Sequence, residues 1–477
     1  MTRPIYILPA LLLLSVFAEA ARAELRQPIP EFVEHVPPTS QHPQPLPDWR
    51  EYLDVAALLV ALSLASLFAL KTRSRRGLFL LAVASLVWFG FWRKGCVCAI
   101  GSIQNVALAI GDPTYQIPLA AVVFFALPLV FTLFFGRTFC AAVCPLGAVQ
   151  EVVAVRPVKV PAWLEHTLGL LAYVYLGAAV VFAATGTAFV ICRYDLFVGF
   201  FRLGAGVNML ILGGCFLVIG LFVGRPYCRF LCPYGAILGL LSKVSKRRVE
   251  IPPEECVRCK LCEEVCPYGA IREPTVDQPA GRRRRGRWRL AGLIVLLPLL
   301  AASGGWLGSR LDLPFARMHP TFRLAERVRL ENEMKKELNS RMQELPGKEG
   351  MSIGEMTKIK DKIKEELLDK YGLVTESTDA SDAFDQTGRP AKDLYTEAIA
   401  LRSSFATAGM WFGAWVGLVI GLKLIHLSVR RRRSDYQPER SRCVACGRCF
   451  WYCPGEQARR GWVRPSVRHL SQGDPTR

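Results

Sequence analysis

Long apolar runs, separated by short polar or basic junctions, dominate the chain. Those at 52–70, 78–92, 117–135, 164–184, 207–223, 290–308 and 405–427 predict seven transmembrane helices. Each is close to the roughly 17 to 25 residues a bilayer helix needs. A shorter apolar run at 5–17 follows Arg3 and ends in Ala18-Glu19-Ala20 and Ala21-Arg22-Ala23, the form of an export signal over 1–23, with an uncleaved anchor as the alternative because Arg3 is its single basic residue before the run. A Pro-rich extracytoplasmic segment at 24–51 leads into the first span. The stretch 309–404 behaves differently. Leu330, Met334 and Leu338, and then Met356, Ile359, Ile363 and Leu367, recur at helical spacing around Leu345-Pro346-Gly347 and Gly350, which predicts a helical hairpin.

Composition agrees with a membrane location: 51% of the 477 residues are hydrophobic and the mean hydropathy is +0.25. The net charge of +20 could suggest nucleic acid, but the basic residues gather at the ends of apolar runs, so no nucleic-acid partner is expected. Lys71, Arg73, Arg75 and Arg76, the run 243–248, the run 282–289 and Arg430 to Arg433 all fall on one side of the predicted topology. By the positive-inside rule that side is the cytoplasm, which places the C-terminus there in a bacterial inner membrane. The segment 309–404 carries 17 Lys and Arg against 18 Asp and Glu, a net of −1, and is expected outside. It serves either as a spacer held by its own ion pairs or as a docking surface for an extracytoplasmic redox partner.

Sixteen cysteines add chemistry, twelve of them in four motifs. Covalent c-type haem, Walker A and dinucleotide signatures are absent from the sequence. Cys256, Cys259, Cys262 and Cys266-Pro267 reproduce the spacing of bacterial ferredoxins, and Cys443, Cys446, Cys449 and Cys453-Pro454 repeat it. A zinc knuckle, the alternative, uses two separated Cys pairs. In two-cluster ferredoxins the fourth Cys of each motif serves the other cluster. The expected ligands are therefore Cys256, Cys259, Cys262 and Cys453 for one [4Fe-4S] cluster, and Cys443, Cys446, Cys449 and Cys266 for the second. The ferredoxin domain is then split into 241–289 and 429–477, with spans 290–308 and 405–428 as antiparallel neighbours. Arg258, Lys260, Arg442 and Arg448 should favour the reduced, more negative clusters.

A second pair of motifs lies in the transmembrane core at 52–240. Gly136-Arg137 followed by Cys140 and Cys144-Pro145 matches Gly224-Arg225 followed by Cys228 and Cys232-Pro233 at an offset of 88 residues. Two crossings separate the copies, so the halves are expected to run parallel about a pseudo-twofold axis. The i, i+4 spacing suits one helical face, and the proline a broken segment. These four thiols are candidates for a further membrane-embedded iron-sulfur cluster or for redox chemistry, with buried structural thiols as the alternative. Cys96, Cys98 and Cys192, at the outer ends of spans, suit either a disulfide such as Cys98 to Cys192 or a redox role. Cys215 reads as packing, and His319 and His426 as ordinary histidines near helix ends.

The two Cys-x3-Cys-Pro motifs and two ferredoxin motifs together resemble the NapH/NosR-type membrane polyferredoxins, a family with a cytochrome oxidase assembly branch. The resemblance covers 52–308 and 405–456. It implies an all-α polytopic membrane protein with a cytoplasmic dicluster ferredoxin-like domain. Such a protein passes electrons between the quinone pool or a cytoplasmic donor and an extracytoplasmic respiratory metalloenzyme. Three features depart from the pattern: a short stretch before the first span where the NosR branch carries an exported flavin domain, the insertion 309–404, and the Cys96/Cys98 pair. The same residues could instead serve an assembly or maturation factor, or a redox sensor, for such a metalloenzyme.

Overall fold

The computed structural model describes residues 48–461 apart from 96–97, 156, 188, 203, 205, 252–255, 257, 276–279, 345–352, 430–432 and 434. The export signal, most of the Pro-rich segment and Cys96 lie outside the described residues. The described chain is almost wholly helical. Among the described residues five helices are long and apolar enough to cross a membrane: Trp49–Lys71, Arg75–Trp92, Ala162–Ala184, Arg284–Ser309 and Ala391–Ser428. Two of the seven expected spans are shorter apolar helices, Leu119–Phe135 and Val207–Phe222. The first starts after extended Pro118 and stops at Gly136, whose φ of 72° no other residue type adopts readily. A further apolar helix, Ala99–Gly111, was not expected from hydropathy, because Ser102, Gln104 and Asn105 interrupt it.

The main core gathers Leu58 and Leu62 of the first helix, Leu78 and Phe89 of the second, and Ile100, Phe124, Leu146, Leu176, Phe197 and Leu238. Both Cys-x3-Cys-Pro segments are embedded in it, with Cys144 and Cys232 buried.

Arg284–Ser309 and Ala391–Ser428 lie against each other along their length. Backbone approaches pair Leu300 with Gly417, Gly304 with Gly413 and Gly308 with Gly409, so one index falls as the other rises and the helices are antiparallel. Any Cβ at Gly304 or Gly413 would collide with the opposite carbonyl, which is why small residues sit at these positions. The pairing brings the ferredoxin motifs together, and Ile271–Arg272 forms an antiparallel strand pair with Gln437–Pro438.

Within 309–404, Pro320–Gln343 packs on Ile353–Tyr371 through Met334, Leu338, Leu367 and Leu373. A second contact joins Ala325 and Val328 to Phe384, Leu394 and Ala398. The hairpin is thus braced by Asp379–Gln386 and by the start of the 38-residue helix that continues into the last span. His319 caps Pro320–Gln343, its Nδ1 accepting from the Thr321 N–H at 3.3 Å.

Candidate functional site: a chain of thiols

The two ferredoxin motifs adopt the same loop. Positive φ occurs at Arg258 (50°) and Lys260 (63°) around Cys259, and at Ala445 (55°) and Gly447 (75°) around Cys446. Left-handed backbone at non-glycine residues is costly and persists only where the surroundings demand it. Here it winds each Cys-x-x-Cys-x-x-Cys segment so that its thiols can face one interior point. In the first motif Lys260 then begins the helix Leu261–Glu264, and in the second Gly447 begins Arg448–Tyr452.

Burial, and then Cys259, Cys453 and Cys256 beside it, push the Cys262 thiol up to about 11. Burial likewise raises Cys449, whose first neighbours are Cys443, Cys446 and Cys266. Cys453 therefore stands with the first motif and Cys266 with the second. Cys256, Cys266, Cys449 and Cys453 share one apolar pocket around Ile251, Ile271 and Tyr436. No three His, Cys, Asp or Glu side chains among the described residues close on a single ion. A cubane does not ask them to, because each of its thiolates ligates a different iron, and two sets of four cysteines on matching loops fit that group.

The four core cysteines also converge. Thr138–Ala142 and Pro226–Phe230 are short helices carrying Cys140 and Cys228, and each chain then breaks at the second Cys. Cys144 (ψ 118°) and Cys232 (ψ 110°) are extended N-caps of Pro145–Val153 and Pro233–Leu241. The paired cysteines thus do not share one helical face as their spacing suggests. The residue before proline avoids helical geometry, while proline is at home in the first helical position. Cys144 lies within electrostatic reach of Cys228, Cys232, Cys140 and Cys98.

The two motifs exchange their arginines. Arg225 reaches across to donate to the carbonyls of Cys140 and Ala141, the latter at 3.2 Å, and lies against Gly147. Arg137 lies against Gly235 and donates to the Cys140 thiol at 3.7 Å. Gln150 donates to the Cys228 thiol at 3.3 Å and accepts from the Tyr227 N–H at 3.1 Å.

Core and ferredoxin parts meet at Glu151, whose side chain is 2% exposed. It accepts from Arg225 at 3.0 Å, Arg448 at 2.8 Å, Arg75 at 2.5 Å and the Tyr268 hydroxyl at 2.8 Å. Burial opposes its ionisation, but Arg225, Arg448 and Arg75 outweigh that and hold the carboxyl well below the usual range. Arg137 adds a bond to the Ser441 carbonyl at 2.8 Å. Cys140 packs with Cys266, Cys443 and Cys446 around Tyr268, Ala270 and Val444, so the core quartet abuts the second ferredoxin set.

Of the basic residues expected to tune the clusters, Arg448 is bound to Glu151 and Arg442 to Glu165 at 2.9 Å, so carboxylates offset their charge. Cys192 donates its backbone N–H to Gln104 at 3.2 Å and is within electrostatic reach of Cys98, but no disulfide joins Cys98 to Cys192. Glu151, Gln150 and Tyr268 were missed from sequence; the signal available was their position beside Cys-Pro motifs.

A family model described as a 4Fe-4S binding domain matches residues 117–163 and again 205–252, displaced by the 88 residues that separate the Cys-x3-Cys-Pro motifs. Another model with that description matches 249–272. An uncharacterized protein of Methanocaldococcus jannaschii is 30% identical over 202 residues, 40% of this chain and 82% of that protein. The chain belongs to the NapH/NosR-type membrane polyferredoxins.

Within this family, Regulatory protein NosR of Stutzerimonas stutzeri is 26% identical over 283 residues, 50% of this chain and 38% of that one. YccM of Escherichia coli is 29% identical over 188 residues, 35% of this chain, and the match spans about half (52%) of YccM. No solved structure matches the polyferredoxin. It is an iron-sulfur membrane protein in which [4Fe-4S] sites and apolar helices occur on one chain.

Proposed function

We propose that the protein carries electrons across a bacterial inner membrane, between the quinone pool or a cytoplasmic donor and an extracytoplasmic respiratory metalloenzyme. Cys256, Cys259, Cys262 and Cys453 hold one [4Fe-4S] cluster, and Cys443, Cys446, Cys449 and Cys266 the other. The clusters supply one-electron steps. Cys140, Cys144, Cys228 and Cys232 hold a third redox centre, and Cys98 with Cys192 continues the path outward. The observation that carries this reading is the shared packing of Cys140 with Cys266, Cys443 and Cys446, which leaves no wide gap between the ferredoxin thiols and the core quartet. A relay is needed because one tunnelling step does not cross a hydrocarbon core of roughly 30 Å.

The clustered arginines at one end of the membrane helices support a cytoplasmic ferredoxin domain. The helical segment 309–404, on the other side, docks the partner. The name of the relative NosR describes a regulatory protein, and a sensor would use the same thiols without steady flux.

The deciding experiment is anaerobic iron and sulfide quantitation with EPR, comparing the protein with a variant carrying Ser at Cys140, Cys144, Cys228 and Cys232. Two cubanes account for about eight irons. Iron above that value, lost in the variant, establishes a third centre. About eight in both removes it from the path.

A further inference from the structure

A cavity of about 1040 Å³ opens beside the core quartet, between Ala162–Ala184, Ala391–Ser428 and the ferredoxin domain. Its lining is of two kinds. Leu170, Trp415, Leu418 and Leu422, on the two membrane helices, give it apolar walls, and Leu240, Leu422 and Leu427 among the lining residues are exposed. The charged lining is cationic: nine Lys and Arg line the cavity against three Glu. Arg229 and Arg442 are bound to Glu165, and Arg272 to Glu439. Lys243, Lys423, Arg433 and Arg440 have no carboxylate partner among the described residues. Lys423 is the decisive one. It sits half-buried near the C-terminal end of the apolar helix Ala391–Ser428, with its ammonium near Gly169 of the facing helix. A half-buried ammonium with no ion pair of its own, whose nearby carboxylates Glu439 and Glu165 are already held by Arg272, Arg229 and Arg442, beside an apolar lining, calls for an anion with a hydrocarbon tail.

We propose that this cavity binds one anionic phospholipid, its phosphate held by Lys423, Lys243 and Arg440 and its acyl chains lying along Leu418 and Leu422. Arg440 is already oriented for this role, donating through Nη1 to the Lys243 carbonyl at 2.7 Å, which ties these two cationic lining residues together. The lipid would fill the space between the last membrane helix and the segment carrying Cys228 and Cys232, and so lock the ferredoxin half against the core. A free phosphate would use the cations but leave the apolar wall uncovered. A neutral quinone would use the wall but leave the excess of cations around Lys423 unmatched.

The test uses the full chain in mild detergent, titrated with short-chain phosphatidylglycerol, phosphatidylcholine or inorganic phosphate while thermal unfolding is followed. Phosphatidylglycerol alone should raise the midpoint, and native mass spectrometry should find an anionic phospholipid retained on the purified protein. Lys243→Gln with Lys423→Gln should weaken the phosphatidylglycerol effect about thirtyfold, the factor two juxtamembrane cations supply. Leu418→Trp, which fills the slot and keeps every charge, should abolish it too. Equal protection by inorganic phosphate would overturn the proposal in favour of a free-anion site. So would equal protection by phosphatidylcholine, or a retained quinone that persists in the Lys243→Gln, Lys423→Gln protein.

Discussion

Arg448 donates to Glu151 at 2.8 Å across 297 residues of sequence, and in doing so bolts the second ferredoxin loop to the first Cys-x3-Cys-Pro segment. The carboxylate is shared with Arg75, Arg225 and Tyr268, so four separate parts of the chain meet on it.

Replacing it should therefore cost more than a surface ion pair does. Glu151→Gln keeps the shape but leaves three guanidiniums around a neutral amide, and breaking a buried pair in this way costs about 3–5 kcal/mol. Chemical unfolding in detergent should register that loss. The exposed pair Arg248–Glu250 is the comparison site, and Glu250→Gln should cost no more than about 1 kcal/mol.

The partners of Cys453 and Cys266 give a spectroscopic prediction. Cys453→Ser should alter the EPR signal of the cluster held by Cys256, Cys259 and Cys262 while the signal of the other persists. Cys266→Ser should do the reverse. If each serine instead perturbs the cluster of its own motif, the crossed assignment is wrong.

Helix pairing can be tested by adding one side chain. Gly413→Val places a branched chain against the Gly304 backbone, and overpacking of this kind costs typically about 1–3 kcal/mol, or more where backbone must move. Gly292→Val, on the partner helix where a Cβ would meet nothing within 4 Å, should be neutral. The ratio of iron to protein should fall in the first and hold in the second, because the same helix pair brings the ferredoxin motifs together.

The segment 309–404 has its own acid sensitivity. Hydrogen bonds from Lys370, Tyr371 and Arg341 hold Glu337 down at about 2, against an ordinary value of 4.5. A carboxyl depressed in the folded state stabilises it above its unfolded pKa, and that contribution is lost as pH falls from about 4.5 towards 2. Hydrogen exchange of peptides from 320–371, corrected for intrinsic rates, should show protection falling through this window. Glu337→Gln should remove the pH dependence and start from the lower protection.

Much of this protein is legible one segment at a time. The apolar runs announce membrane helices because a bilayer accepts little else. The ferredoxin spacing announces cubane loops because three thiols on one tight turn must reach three irons, and the structure has the same left-handed residues in both copies. Leu330, Met334 and Leu338 announced a helix that needed a partner, and Leu367 met them. Where the sequence misled, it did so locally: Cys140 and Cys144 have helical spacing, yet Pro145 turns the second into a cap.

What only the tertiary structure decided are the relationships between distant residues. The Cys-Pro motif beside Glu151 hints at a role, but that it is the joint between core and ferredoxin parts is not written there, since its partners come from residues 75, 225, 268 and 448. Nor does the motif around Arg225 reveal that it serves Cys140 of the other copy. Hydropathy and ligand spacing are properties of neighbouring residues and can be read along the chain. A buried charge must be neutralised by whatever folding brings beside it, and that is settled only when the helices have packed.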